Sequence, residues 1–149
     1  MNSFFLLAII TANAITTSGT TAAADFSHVT GIQCKMDQGY QGAWNKETLS
    51  LNPATMDTEI VFDQISLENK TARFTNNKGS YDVSVLDTPG TITFIEMTVS
   101  GSFIASTVFK KPLTPGKYAV TMSRHVLLAG EPVPSQYHGI CEISQPLAK

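Results

Sequence analysis

The sequence is poor in the residues from which most chemistry is built. Two arginines, three histidines, two cysteines and one tryptophan are spread over 149 residues. Charged side chains make up only 15% of the chain, the formal net charge is −2, and no block of one sign occurs. Proteins that bind nucleic acid or anionic lipid carry a basic patch or stripe. None is present here, so no nucleic-acid partner is expected. There is no C-x-x-C, which excludes the usual redox pair and the zinc knuckle. The nucleophile elbow G-x-S-x-G, the H-E-x-x-H helix, the Walker loop, the dinucleotide fingerprint and the calcium loop are all missing. The carboxylates are scattered, with no obvious pair for glycoside chemistry. These absences argue against an enzyme, and no cofactor or metal is expected.

Helical periodicity is also missing. No window of roughly twelve residues holds an apolar stripe at i, i+3, i+4 and i+7. No apolar run is long enough to cross a bilayer. The run that does occur, Phe4–Ile10, is short and lies in a 24-residue N-terminal stretch without a charged side chain. Small residues follow it at Ala12–Ala14 and again at Ala22–Ala24. This pattern predicts a secretory signal peptide with its flexible tail over residues 1–24, cleaved after Ala14 or Ala24. It departs from the usual form in having no Lys or Arg before the apolar run. The expected location is secreted or periplasmic. A mature chain of about 125–135 residues would remain, enough for one domain, residues 25–149, with a real core. The apolar content of 42% argues against disorder.

What is present is strand chemistry. Short alternating runs rich in Val, Ile, Thr, Phe and Tyr are separated by Gly, Pro, Asn and Asp. Strands are predicted at 28–36, 57–66, 71–76, 80–87, 91–99, 102–110, 116–128 and 135–144. Turn signals lie between them at Asn76–Ser80, Asp87–Gly90, Ser100–Ser102 and Lys111–Gly116. In "YDVSVLDT", Tyr81, Val83 and Val85 share one face. In the seventh strand Tyr118, Val120, Met122, Val126 and Leu128 share another, and Arg124 falls among them. The longest irregular piece, residues 37–56, holds Trp44 and is expected to cap one end or to form a short helix from Asn52–Pro53. The fold class is all-β: a small antiparallel up-and-down barrel of about eight strands, with a β-sandwich as the alternative. The cysteines favour closure. Cys34 lies in the first strand and Cys141 in the last; a disulfide between them would bring the two strands together. Two buried thiols are the other possibility.

Candidate sites are few. The stretch "SRHVLLAGEPVPSQYHGIC", residues 123–141, concentrates Arg124, His125, Tyr137 and His138. Successive residues of a strand point to opposite faces, so the pleat divides this cluster. "AGEPVP" reads as the hairpin loop between the two strands, with its prolines confined to the turn. Arg124 on an apolar face needs a partner. Either Glu96 pairs with it internally, or it anchors an anionic group of a ligand. Tyr118, on the same face, and Trp44, in a glycine-flanked segment with Tyr40, complete the candidate ligand-binding set. Aromatic residues Phe94, Phe103, Phe109 and Tyr118 could line a cavity or fill the core. The leading expectation is an exported, non-catalytic binding module for a small apolar or anionic ligand or for another exported protein. Two alternatives stand beside it: a small hydrolase or lyase using His125 or His138, and a structural surface protein with a filled core.

Overall fold

The computed structural model describes residues 25–99 and 101–144. The expected export segment lies outside these residues, as does Ser100 of the expected Ser100–Ser102 hairpin. Among the described residues eight antiparallel strands run in chain order around one closed barrel. They are β1 Gly31–Asn45, β2 Thr48–Ser66, β3 Thr71–Asn76, β4 Gly79–Asp87, β5 Thr91–Met97, β6 Phe103–Thr114, β7 Lys117–Leu128 and β8 Glu131–Ser144. A short 3₁₀ turn, Phe26–His28, precedes β1. No helix among the described residues is long and apolar enough to cross a membrane.

Closure is made by β1 and β8. Cys34 lies directly opposite Cys141 in their register, and the two form a disulfide with a Cα separation of 3.9 Å. Both half-cystines are fully buried. Two glycines let this seam close tightly. A Cβ on Gly139 would strike the backbone of Lys35 and Met36, and one on Gly39 would strike the Gln136 carbonyl and the Tyr137 ring. Between these contacts β1 carries a bulge: Asp37 and Gln38 together oppose His138. The extra residue moves Tyr40, Gly42 and Trp44 to the outer face.

Inward side chains fill the lower half of the barrel. Phe62 stacks on Phe94, with centroids 3.7 Å apart and planes 8° apart, and tilts against Phe74 at 5.4 Å. Ile32, Met36, Ile60, Ile92, Val108 and Val120 complete this core, all almost wholly removed from water. The lower end is plugged from the 3₁₀ turn. Asp25 caps that turn by accepting a bond from the Ser27 amide at 2.8 Å. Phe26 is thereby held across the opening, edge-on to Tyr118 at 5.2 Å and under the Lys110 ammonium at 5.7 Å. Lys110 is in turn fixed by the Asp87 carboxylate at 2.6 Å and the Thr88 carbonyl at 2.7 Å.

Two stretches differ from what the sequence pattern predicts. Residues 37–56 are neither cap nor helix. They continue β1 and β2 into one long hairpin that turns at Lys46–Glu47. Its alternation is hard to read because the bulge reverses the faces midway and the inner face is polar. "AGEPVP" is likewise mostly strand. The β7–β8 turn is only Ala129–Gly130, and Pro132 and Pro134 lie within β8, opposite Leu127 and His125. They are tolerated because the β1–β8 ladder ends at Gln41–Ser135, so their missing N–H groups cost no bond to β1, although Gly42 of β1 still lies against Pro134.

Candidate functional site

The strand lengths decide where the barrel is open. The β1–β2, β3–β4, β5–β6 and β7–β8 turns all lie at the upper end of this up-and-down barrel. Strand β2 has 19 residues and β3 has 6. Pairing with β3 covers only Val61–Ser66, so the upper part of β2 pairs with β1 alone. The wall formed by β3, β4 and β5 is therefore low. A cavity of about 250 Å³ opens there, lined by inner-face residues of β2 to β7.

Its floor is apolar: Ile60, Phe62, Phe74, Val83, Phe94 and Met122. The space itself comes from a small residue. Phe94, Ser106 and Met122 are cross-strand neighbours in one inner row. A hydroxymethyl group between two long side chains leaves a gap that a large residue would fill. Ser106 is buried, at 3% exposure.

The mouth is polar. One row higher, Glu96, Ile104 and Arg124 are cross-strand neighbours on β5, β6 and β7. All three line the cavity, with Tyr81, Asn76 and Lys78 on the low side. No ion pair joins Arg124 to Glu96 within 4.0 Å; the charges sit two strands apart with Ile104 between them. The Arg124 guanidinium instead lies over the Tyr137 ring, 6.0 Å from its centroid. Such a contact holds a cation without neutralising it. Tyr81 tilts against Phe74 at 5.0 Å. Partial burial, reinforced by the facing Glu96 carboxylate, pushes its phenol pKa up to about 12, with the Arg124 charge acting in the opposite direction.

The three residues singled out for binding do not meet. Arg124 lines the cavity. Tyr118 is buried at the opposite end, against Phe26 and beside the disulfide. Trp44 stands on the outer face near the tip of the β1–β2 hairpin, 47% exposed. The histidines do not meet either. His125 and His138 both point outward, but His138 meets Thr121 at 3.2 Å while His125 lies edge-on to Phe103 at 5.9 Å. Of the aromatic set, Phe94 and Tyr118 are inside; Tyr40, Trp44, Phe103 and Phe109 are outside. Sequence reasoning passed over Phe62, Phe74 and Ser106. The alternation of "EIVFDQI" points Ile60 and Phe62 to one face and could have found the first.

A second feature lies outside the barrel. Tyr40, Gly42 and Trp44 share the outer face with their partners Pro53, Leu51 and Leu49. Pro132, Pro134 and Leu127 extend that face across β8 and β7. Tyr40, Trp44, Leu49, Leu51 and Leu127 are all substantially exposed, and this stretch of the face carries no charged residue.

Comparison of the chain with protein-family models, with curated proteins and with solved structures finds no match.

Proposed function

We propose that this is an exported binding protein that holds a small molecule in the upper cavity of its barrel. The observation that carries the reading is the cavity's division into an apolar floor and a charged mouth. Protein interiors are close-packed, and a small barrel of eight strands can be filled completely by its side chains. This one is filled below and left open above. Mostly apolar pockets with a few placed polar groups are the usual form of small-molecule sites. The volume lies between the ~150 Å³ void that holds benzene and the roughly 300 Å³ lower bound of drug-sized sites. It suits a ligand of roughly ten to fifteen heavy atoms on that scale. The disulfide fits an oxidising compartment and supports export.

Titration of the unreduced protein with 2-naphthol, followed by isothermal calorimetry, tests the reading. Saturable binding of one molecule per chain is expected. It should be abolished by Ser106→Phe, which puts a ring into the cavity. No binding, or binding unchanged in the variant, would overturn the proposal. The intact mass of the same sample, from a secreting host, reports the mass deficit of one disulfide and cleavage after Ala14 or Ala24.

The outer face supports a second reading, in which another exported protein docks on the β1–β2 hairpin. Exposed apolar patches of this kind mark contact surfaces. The double variant Trp44→Ser, Leu51→Ser should then lose a cross-linked partner in the exported fraction while keeping its 2-naphthol site. An unchanged cross-linking pattern would remove this reading.

A further inference from the structure

The mouth of the cavity carries more information than its floor. Glu96 and Arg124 lie in the same inner row, on strands either side of β6, with Ile104 between them. Two strand spacings put their Cα atoms about 10 Å apart. Both side chains line the cavity and both are only partly exposed. Neither has an oppositely charged partner within 4.0 Å among the described residues. Long side chains on such strands can reach one another. Here Arg124 is drawn onto the Tyr137 ring instead, and Glu96 faces Tyr81.

Two unlike charges held apart at one opening create a dipolar field. A simple anion gains from Arg124 but is repelled by Glu96. A simple cation gains from Glu96 but is repelled by Arg124. The third charged group at the mouth, Lys78, is exposed on the β3–β4 turn and adds weakly to the repulsion of cations. A ligand that is itself dipolar satisfies both charges at once.

Resting on the reading that the cavity binds a small molecule, we infer that its ligand is a zwitterion with an apolar body, of the class of the apolar and aromatic α-amino acids. The ammonium group meets Glu96, the carboxylate meets Arg124, and the side chain descends onto Phe94 and Phe62. The Asn76 side chain, on the low side of the mouth, is within the lining that the head group would face.

Three matched probes test this: L-phenylalanine, 3-phenylpropanoate, which lacks the amine, and 2-phenylethylammonium, which lacks the carboxylate. Calorimetry on the unreduced wild-type protein should show phenylalanine binding at least tenfold more tightly than either. Glu96→Gln should erase its advantage over 3-phenylpropanoate, and Arg124→Gln its advantage over 2-phenylethylammonium. Wild-type melting curves for both variants establish that they fold. If either control binds as tightly as phenylalanine while 2-naphthol still binds, the zwitterion inference fails and the cavity reading stands. If 2-naphthol does not bind, both fail.

Discussion

Tyr81 reports the state of the cavity mouth through its own proton. The phenol is partly buried and faces Glu96, and together these raise its pKa to about 12. An unfolded tyrosine titrates near 10. Folded Tyr81 therefore holds its proton where the unfolded chain has begun to release it. The stability it contributes is complete below about pH 10 and is lost as the pH climbs through about 12. Subtracting the alkaline phenolate absorbance of Tyr81→Phe from that of the wild type should isolate a component with its midpoint near 12. Glu96→Gln should move that component down, but not fully to the ordinary value, because burial is the larger cause and remains. A wild-type component already centred near 10 would mean that Tyr81 does not face a charged, partly dry mouth.

The β7–β8 hairpin shows how much one turn residue matters to an element. Its two central residues, Ala129 and Gly130, have φ of +53° and +87°. Positive φ at both positions is the type I′ pattern, for which Asn-Gly is the preferred pair. Alanine in the left-handed region costs about 1–2 kcal/mol from its Cβ alone. Ala129→Asn should recover about 1 kcal/mol of this, and the thermal midpoint should rise by a few degrees. A fall would show that the tip does not hold the I′ conformation in solution. The other hairpin ends differ: Lys46 in the β1–β2 turn and Lys70 in the β2–β3 turn also take positive φ, +57° and +56°, without glycine. β6–β7 turns at Pro115–Gly116, with φ of +77° at the glycine, which is the place of glycine in a type II turn.

For the whole molecule the β1–β8 seam decides stability. The first and last strands come together only after nearly the entire chain has been laid down, and the disulfide joins residues 107 apart. In the chain-entropy description, closing a loop of that length before folding is worth about 4–5 kcal/mol, and measured values run from near 0 to about 5. The paired variant Cys34→Ala, Cys141→Ala should therefore unfold at a distinctly lower denaturant concentration than the oxidised wild type. Reduced wild-type protein should behave like the variant. Coincident curves for all three would remove the bridge from the account of stability. The barrel itself should persist in the variant, because Phe62, Phe94, Ile32 and Val120 remain buried without it.

Local chemistry determined much of this protein. Alternating β-branched and aromatic residues wrote the strands. Pro-Gly, Asn and Gly placed most of the turns. Two cysteines near the two ends of the strand series implied closure. All of these act over neighbouring residues, or through one covalent bond. Three features were decided only by the tertiary structure. The bulge at Asp37–Gln38 reverses the faces of β1, so Trp44 and Tyr40 stand outside, although their strand begins with Ile32 and Cys34 inside. The unequal lengths of β2 and β3 leave the barrel wall low on one side. The cross-strand register sets Ser106 between Phe94 and Met122 and, one row up, holds Glu96 and Arg124 apart across Ile104. A cavity is a sum of gaps between side chains from six strands, and sequence order carries no record of which residues will face each other across them.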